Sequence, residues 1–319
     1  MTKVVVSELR KHEKYERLVA AAKRLPPLPA AVAHPCDETS LRGALEAAEA
    51  NLIIPILVGP KNKILDVARS LGISVEDFEL VDVPHSQAAA DKAVELVRAG
   101  RAELLMKGSL HSDELLGAVT KRETGLRTSR RISHVFVMDV PTHPQTLFIT
   151  DAAVNIAPDL TAKRDIIQNA IDLYVGLGLG TPKVAILSAV ETVNLSIPST
   201  IDAAALCKMA DRGQITDGEL DGPLALDNAI SSEAARIKGI KSAVAGRAQI
   251  LVAPDLEAGN MLAKNLTFIS KADAAGIVLG ARVPIILTSR ADNVRTRMAS
   301  SAVAMLLAHS RRANQPIRT

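Results

Sequence analysis

One apolar run near the end of the chain constrains the fold more than any other feature. Val283-Pro284-Ile285-Ile286-Leu287 is followed at once by the polar residues Thr288-Ser289-Arg290-Ala291-Asp292. A run of this length predicts a strand buried on both faces, and such strands belong to α/β folds. Ligands of open α/β sheets bind beyond the carboxyl ends of the strands. A hydroxyl, a guanidinium and a carboxylate delivered there suit an anionic ligand, because arginine grips a phosphate with two donors.

The rest of the chain alternates as this fold class requires. Short apolar segments such as 53–59 and 183–189 are separated by longer helical patterns such as 160–177, which predicts βαβ units and a largely parallel sheet. The sequence also predicts one helix over 224–237 and another over about 261–274. Its 319 residues contain no long linker, so we expect two α/β lobes that share a tight boundary. The first lobe takes 1–148 and 293–319, and the second takes 149–292.

Composition narrows the classes of function. Aromatic residues make up only 2% of the chain, which argues against base stacking and hence against binding of single-stranded nucleic acid. The net charge of +3 is too small to predict a nucleic acid or an anionic membrane as the main partner. We see neither a secretory signal nor an uncharged stretch long enough to span a membrane. The two cysteines, Cys36 and Cys207, are far apart, so we expect no disulfide framework and a cytoplasmic location.

Polar clusters follow five of the predicted strands. They are Lys107-Gly108-Ser109, Asp151 with Asn155, Glu191 with Asn194, Asp255 with Asn260, and Ser289-Arg290 with Asp292. Each cluster alone is consistent with an ordinary cap or turn, because Asp, Asn and Ser favour those positions for local reasons. Since parallel strands end at the same edge of a sheet, we expect several of the five clusters to face one edge and line one cleft.

Several common motifs are absent from the sequence. No Gly-x-Gly-x-x-Gly opens a helix after a strand, and there is no Gly-x4-Gly-Lys-Ser/Thr loop, His-Glu-x-x-His pair or Gly-x-Ser-x-Gly turn. His111, His134 and His143 are scattered, and we expect each to be satisfied or solvent-facing. The pattern therefore favours a phosphate or phosphoanhydride site without a metal, where positioning and charge stabilisation carry the chemistry.

From about residue 102 onward, the chain resembles the phosphate acetyltransferase and phosphate butyryltransferase family. The matching segments are MKGSLHSDELL (106–116), LRTSRRISHVFVMDVP (126–141), TDAAVNIAPDL (150–160), PKVAILSAVETVN (182–194), ADRGQITDGELDGPLALDNAIS (210–231), APDLEAGNMLAK (253–264) and VLGARVPIILTSRADN (278–293). DGPLALDNAIS and LTSRAD are most similar to the butyryltransferase branch. The resemblance implies reversible transfer of an acetyl or butyryl group: acyl-CoA plus phosphate gives acyl phosphate plus CoA.

The resemblance also implies a structure and a set of site residues. The fold is two α/β/α lobes of the isocitrate dehydrogenase type, in a homodimer that uses CoA as a substrate and has no tightly bound cofactor. Ser289 and Arg290 lie at the reacting centre, where Arg290 holds the phosphoryl group. In the acetyltransferase branch, a carboxylate several residues after the Ser-Arg pair deprotonates the CoA thiol, but the corresponding stretch here, Val294-Arg295-Thr296-Arg297, has no acid. Asp292 is the only acid near the pair, and our hypothesis is that it acts as the base. The substrate-binding candidates are Lys107, Ser109, Ser112, Asn260, Lys264, Thr288 and Arg127.

Some alternatives stay open. The basic cluster 127–131 suits the phosphates of CoA, but is equally typical of a solvated loop. A metal-dependent 2-hydroxy acid dehydrogenase on a similar fold would need converging acids, and its nicotinamide signal is missing. The acids available to it are Asp151, Asp221, Asp227 and Asp255. A non-catalytic protein that binds CoA or acyl phosphate is a third function, against which the intact Ser289, Arg290 and Lys107 loop argue.

Overall fold

The computed structural model describes residues 13–287 and 293–314. The strands in these ranges are β1 Leu28–Ala33, β2 Ile53–Gly59, β3 Glu79–Asp82, β4 Leu104–Lys107, β5 Ser133–Asp139, β6 Leu147–Thr150, β7 Lys183–Leu187, β8 Glu219–Leu224, β9 Ile250–Val252, β10 Asp273–Leu279 and β11 Ile285–Ile286. The helices are α1 Glu13–Ala22, α2 Glu38–Glu49, α3 Lys61–Leu71, α4 Ser86–Arg98, α5 Ser112–Thr120, α6 Leu160–Gly176, α7 Pro198–Asp211, α8 Leu226–Ile230, α9 Ser232–Ile237, α10 Leu256–Phe268 and α11 Val294–Asn314. No helix within the described ranges is long and apolar enough to cross a membrane.

All of these strands belong to one sheet, in the order β3-β2-β1-β4-β11-β10-β5-β6-β9-β7-β8. Of the ten neighbouring pairs among the described strands, seven are parallel. The antiparallel pairs are β11–β10, β10–β5 and β5–β6, at the centre of the sheet. The expected α/β fold with a largely parallel sheet is therefore confirmed, as a mixed sheet whose two outer parts run in opposite directions.

The strand directions divide the five polar clusters between two groups of strand ends. Three clusters, at Asp151, Glu191 and Asp255, follow the mutually parallel strands β6, β7 and β9 and so share one edge as expected, whereas the other two do not. Lys107 and the segment after Leu287 end strands of one direction, whereas Asp151 and Asp255 follow strands of the other. The three antiparallel pairs in between cause this reversal. The register nevertheless aligns the ends of β4 and β11 with the end of β6 in one row across the sheet. Met106 lies opposite Ile286, and the row continues through Ile277 and Val135 to Thr150. The two sets of strand ends thus approach each other from opposite directions.

The helices divide between the two faces of the sheet. Helices α1, α2, α3, α6, α7 and α11 share one core on what we name the rear face. On the other face, the front face, α4 and α5 share a second core, and α8, α9 and α10 share a third. On the front face α4 packs on β1, β2 and β4, while α10 packs on β6 and α8 on β7. The front helices therefore flank the central strands β10 and β5 on either side.

Two helix predictions were wrong in detail. The segment 224–237 is not one helix, because Ser231 has an extended backbone and its hydroxyl accepts a hydrogen bond from the Ala234 amide. That side chain caps α9 and separates it from α8. The helix predicted over 261–274 instead begins at Leu256, since the Asp255 carboxylate accepts the Ala258 amide at 2.8 Å. It ends at Phe268, and Asp273 already begins β10.

Candidate active site

The predicted phosphate-side loop lies where β1 and β4 end side by side. Chain order makes this a switch point, because β2 and β3 lie on one side of β1 and β4 lies on the other, and such points commonly bind ligands. The Ser109 amide and hydroxyl both donate to the carbonyl oxygen of His34, each at 2.8 Å. The Ser109 hydroxyl has only one proton, and it is donated to this carbonyl oxygen. We therefore assign a proton to the His34 Nδ1, which lies 2.8 Å from Ser109 Oγ and donates to it. Ser109 is thus held by His34.

Gly108 lets the two strand ends approach this closely. A Cβ atom at this position would lie 2.3 Å from the Ala33 carbonyl oxygen and 2.4 Å from that of His34. Both are backbone atoms, which have no room to move away, so only glycine fits. Lys107 precedes it as the last residue of β4 and is buried. His34 itself has a φ of +57°, a left-handed conformation that is uncommon for residues other than glycine.

Ser112 is the first residue of α5 and is exposed. The first turn of this helix already has an acidic partner, because Glu114 accepts the His111 amide at 2.8 Å and the Ser86 hydroxyl at 2.7 Å. These hydrogen bonds lower the pKa of Glu114, with that of Ser86 contributing most. Ser112 therefore follows the 107–109 loop closely in the sequence, but it lies at a helix end where the Glu114 carboxylate already accepts two hydrogen bonds.

A cleft of about 610 Å³ extends between α5 and the segment that follows β6. Leu116 and Thr120 of α5 line one side, the basic cluster 127–131 a second, and residues of 154–165 a third. Arg127 is exposed there, and its backbone pairs with Ala281 in an isolated bridge. The cleft therefore brings Arg127 together with Asn155, although Arg127 and Asn155 follow different strands in the sequence.

A buried hydrogen-bond network holds the basic cluster against the end of β6. The Asp151 carboxylate accepts the amides of Ala153 and Val154 and the side-chain amide of Asn155. Asn155 Oδ1 in turn accepts Arg131 Nε at 2.7 Å. The buried side chains of Asp151 and Asn155 thus both have hydrogen-bond partners, as burial of polar groups requires. Arg131 was only part of a basic run in the sequence, and this ionic hydrogen bond gives it a fixed position at the cleft.

Asn260 and Lys264 lie on α10, one turn apart. Asn260 Nδ2 donates to the Ala152 carbonyl oxygen at 3.1 Å, which joins α10 to the turn after β6. Gly259 permits this approach, since a Cβ there would lie 2.6 Å from the Asp151 carbonyl oxygen. Lys264 is exposed. The amide of Asn260 therefore has a structural partner, and Lys264 is available to a ligand at this end of α10.

The central strands form the floor between the two helix groups. Gly276 of β10 lies opposite Phe136 of β5, whose ring contacts the His134 ring edge-on with centroids 4.3 Å apart. A Cβ at Gly276 would lie 2.8 Å from the Leu287 carbonyl oxygen and 3.1 Å from His134 Nε2. The chain therefore leaves β11 directly beside His134. Thr288, Ser289, Arg290 and Asp292 come next, outside the described residues.

His134 departs from the expectation that it is satisfied or solvent-facing. It is fully buried, and its Nδ1 has no hydrogen-bond partner in the described part of the chain. Burial lowers the pKa of His134 to about 4, and the nearby Asp151 carboxylate opposes this only in part. The ring is therefore neutral at physiological pH. The sequence did not predict a buried histidine whose Nδ1 lacks a partner within the described residues, because an isolated histidine inside an apolar strand belongs to no recognisable motif.

The two thiols are poor nucleophiles at neutral pH. Burial raises the pKa of Cys36 to about 11 and that of Cys207 to about 12. Since the thiolate is the reactive form, neither cysteine is suited to a covalent acyl intermediate. Among residues 13–287 and 293–314, no group of three or more His, Cys, Asp or Glu side chains converges as a metal site. The acids that a metal-dependent dehydrogenase would need are therefore not assembled in this part.

A mixed α/β sheet with a basic cleft between two opposed sets of strand ends defines an enzyme architecture suited to small anionic substrates. Residues 85–305 match the profile of the phosphate acetyl/butaryl transferase family. A phosphate acetyltransferase of Rhizobium meliloti is 72% identical over 95% of this chain and 96% of its own length. A phosphate butyryltransferase of Clostridium beijerinckii is 43% identical, over 92% and 97% of the two chains.

A solved structure agrees with the sequence relatives. The branched-chain phosphotransacylase of Enterococcus faecalis V583 superposes with a TM-score of 0.78 at 31% identity, over 88% of this chain and 99% of its own. The chain therefore belongs to the phosphate acetyl/butyryltransferase family, which is a family of acyltransferase enzymes. The family assigned from the sequence motifs is confirmed.

Proposed function

We propose that this enzyme transfers a short acyl group reversibly between CoA and inorganic phosphate. The observation that carries the proposal is the 72% identity, over nearly the whole chain, to a relative named phosphate acetyltransferase. The same relative favours acetyl as the preferred group. Butyryl is the second candidate, because a 43% identical relative is named phosphate butyryltransferase and because DGPLALDNAIS and LTSRAD are most similar to that branch.

The chemical step needs no metal and no covalent enzyme intermediate. A phosphate oxygen forms a bond to the thioester carbonyl carbon, the carbon–sulfur bond breaks, and CoA leaves as a thiolate that takes up a proton. Negative charge builds on the carbonyl oxygen, and a fixed donor at such a position is worth about 3–4 kcal/mol. We assign that donor to Ser289 and the grip on the phosphoryl group to Arg290. Leu287, the residue before Thr288, has its carbonyl oxygen beside Gly276 of the central strand β10, which supports this assignment.

Lys107, Ser109 and Ser112 are assigned to the phosphate side, and Arg127, Thr288, Asn260 and Lys264 to the rest of the substrate. The switch-point position of Lys107 and the exposed position of Arg127 in the cleft support two of these roles. For Asn260 the support is weaker, because its amide already binds the Ala152 carbonyl oxygen. Anionic CoA and phosphate both gain from a basic cleft.

Asp292 is assigned as the base that deprotonates the CoA thiol in the reverse direction. A free thiol has a pKa of about 8.5, so help is useful near neutral pH. An Asp292→Asn variant should lower the rate of acyl phosphate consumption most strongly below pH 8, because less thiolate is present there. The forward and reverse rates are compared across the pH profile. An unchanged profile would remove Asp292 from the mechanism and leave Arg290 to favour the thiolate.

We also propose two lobes of the isocitrate dehydrogenase type, with 1–148 and 293–319 in one and 149–292 in the other. The opposite directions of the outer strand groups support this division. Helix α11 packs on α1 and α2 of the first lobe and also on β10 of the second, so it joins the two. Strand order favours one adjustment, since β11 pairs with β4 and so sits with the first lobe. Residue 148 lies inside the buried strand β6, so the division is tested by limited proteolysis of the segment 141–146 that precedes this strand. Preferred cleavage there would support the boundary, and preferred cleavage inside either lobe would contradict it.

We further propose a homodimer with no tightly bound cofactor, in the cytoplasm. Met261 and Phe268 of α10 and the adjacent Ile269 are all more than 60% exposed, and apolar surface of this kind marks interfaces. A Phe268→Glu variant should therefore run as a monomer in light scattering, whereas a Lys61→Glu control, at an exposed position on α3, keeps the native mass. A monomeric wild type would overturn the dimer.

The function is tested by its products. Acetyl-CoA, propionyl-CoA and butyryl-CoA are incubated with phosphate, and the acyl phosphate is identified by its phosphorus NMR signal. Formation of acyl phosphate in amounts equal to the CoA released establishes the transfer, and the ranking of the three substrates assigns the branch. Release of CoA with free acid and no acyl phosphate would establish a hydrolase instead. An Arg290→Gln variant should lose most of the activity if that side chain binds the phosphoryl group.

A further inference from the structure

A second pocket lies next to the cleft, further along the rear-face helix α6. Its volume is about 610 Å³, and it opens between α6 and α11. The loop 128–130 and the turn 280–282 complete its wall. Gly176 allows the two helices to approach, because a Cβ there would lie 2.8 Å from the Leu307 side chain. We name this feature the rear pocket. None of the described residues to which a substrate role is assigned above lines it.

Three arginines are among the residues that line the rear pocket: Arg130, Arg282 and Arg311. Arg130 is paired with Asp172 at 2.8 Å, and the second oxygen of that carboxylate accepts Gln168 Nε2 at 2.9 Å. Both oxygens of Asp172 therefore already accept a hydrogen bond. Arg282 and Arg311 have no side-chain hydrogen bond or ion pair within residues 13–287 and 293–314.

Arg311 has an additional reason to favour a bound anion. Burial lowers its pKa, Arg130 lowers it further, and Asp172 compensates only in part. An arginine stays charged in proteins, so the cost of holding this charge away from water remains until an acceptor arrives. The second acid of the pocket, Asp217, is exposed and accepts the Thr216 hydroxyl, so it does not supply that acceptor.

We propose that the rear pocket binds a small polyanion that is not a substrate, and that its binding changes the affinity of the cleft for acyl-CoA. Paired guanidiniums recognise carboxylates and phosphates alike, so the shared chemistry is two or more adjacent anionic groups. The binding part of the proposal stands on the pocket alone. The coupling part rests on the proposed function.

The loop between the two sites provides the coupling. Residues 128–130 line both the cleft and the rear pocket. The Thr128 hydroxyl donates to the Gly280 carbonyl oxygen and accepts the Arg130 amide, so the loop and the 280–282 turn move together. On the cleft side the next residue, Arg131, binds Asn155. An anion that draws Arg130 away from Asp172 therefore shifts Arg131, and linkage makes the effect on affinity reciprocal.

The test is calorimetry with two probes, citrate for carboxylates and inorganic pyrophosphate for phosphates, with and without saturating CoA. We expect at least one probe to bind one-to-one per chain in the presence of CoA. Arg282→Gln and Arg311→Lys variants should each weaken that binding about tenfold, the loss expected for one charged hydrogen-bonding partner. Arg282 lies in an exposed turn, so its variant keeps the fold. Arg127→Gln, which changes only the cleft, should bind the probe as the wild type does.

Three results would overturn the proposal. The first is that neither probe binds, and the second is equal binding by the wild type and both rear-pocket variants. The third is competition between CoA and the probe, with weaker binding of CoA but unchanged binding of dephospho-CoA in the variants. That result would assign the pocket to the 3′-phosphate of the substrate. Phosphate-dependent thiol release is measured on the same samples, so loss of probe binding is distinguished from failure of the proposed function.

Coupling is read from kinetics. At a saturating concentration of the bound probe, the KM for acetyl-CoA should change in the wild type and stay constant in Arg282→Gln. A KM that responds equally in both proteins would place the effect of the probe in the cleft and contradict the proposal.

Discussion

The contact between α10 and the turn after β6 makes a sharp prediction for Gly259→Ala. The new Cβ would lie 2.6 Å from the Asp151 carbonyl oxygen, 0.8 Å less than the 3.4 Å of ordinary van der Waals contact. It would also lie 3.1 Å from the Ala253 Cβ and 3.2 Å from the Ala152 Cα. None of these atoms belongs to a flexible side chain, so relief requires α10 to move as a unit. Overpacking of this kind costs about 1–3 kcal/mol of unfolding free energy.

The matched control is Gly117→Ala in the interior of α5. No atom lies within 4 Å of a Cβ placed there, so only helix propensity changes. Alanine is favoured over glycine in a helix by about 0.8–1.0 kcal/mol, so the control should be stabilised. The same propensity gain offsets part of the cost at Gly259. The two identical substitutions should therefore shift stability in opposite directions.

Urea unfolding followed by circular dichroism compares the two variants with the wild type, and initial rates give kcat/KM for acetyl-CoA. Displacement of α10 moves Asn260 and Lys264, and a misplacement of about 1 Å can cost a hundredfold in rate. We expect Gly259→Ala to lose both stability and kcat/KM, while Gly117→Ala keeps its kcat/KM. A Gly259→Ala protein as stable and as active as Gly117→Ala would refute the close packing of α10 on the Asp151 turn.

Further predictions concern the ends of the sheet. Lys14→Met should cost about 3 kcal/mol in urea unfolding, because it leaves the fully buried Asp139 carboxylate without its ion pair at 2.9 Å; an unchanged midpoint would contradict this. Gly108→Ala should raise the KM for phosphate and destabilise the fold, since β4 must separate from Ala33. An unchanged KM for phosphate would contradict the phosphate-binding role of the 107–109 loop. Burial lowers the pKa of His134 to about 4, whereas the unfolded chain binds a proton at this residue below about pH 6.5. The unfolding free energy should therefore be at its full value above pH 6.5 and decrease as pH falls towards 4. Unfolding free energy measured from pH 7 to 4 should fall less in His134→Gln than in the wild type, and parallel curves would contradict the shift.

Local sequence patterns were enough to predict most elements and the family, but not how the strands are arranged. Apolar runs located β2 within its observed ends, because a strand that is buried on nearly every residue leaves a clear pattern. Strand direction was missed because the reversal depends on β10 crossing to pair with β5, a contact between distant segments. The break at Ser231 was missed because one serine in a helical pattern is a weak signal, and its capping role shows only in the structure.

The sequence was enough to locate some candidate site residues at strand ends, but not to predict the contacts that they make. Lys107 and Ser109 lie at a strand end as expected, since polar residues directly after an apolar strand locate that edge. The link from Asp151 through Asn155 to Arg131 joins segments that no spacing rule connects. Likewise, no spacing rule connects Arg282 with Arg311, and only the packing of α6 near α11 brings them to one pocket.

The most direct test of the account is release of free thiol from acetyl-CoA, with and without inorganic phosphate, in the presence of EDTA. We predict that thiol appears only when phosphate is added, and that EDTA does not reduce the rate. Thiol release without phosphate would identify water as the acceptor and contradict the acyl transfer to phosphate. Loss of activity in EDTA would contradict chemistry that depends on positioned side chains alone.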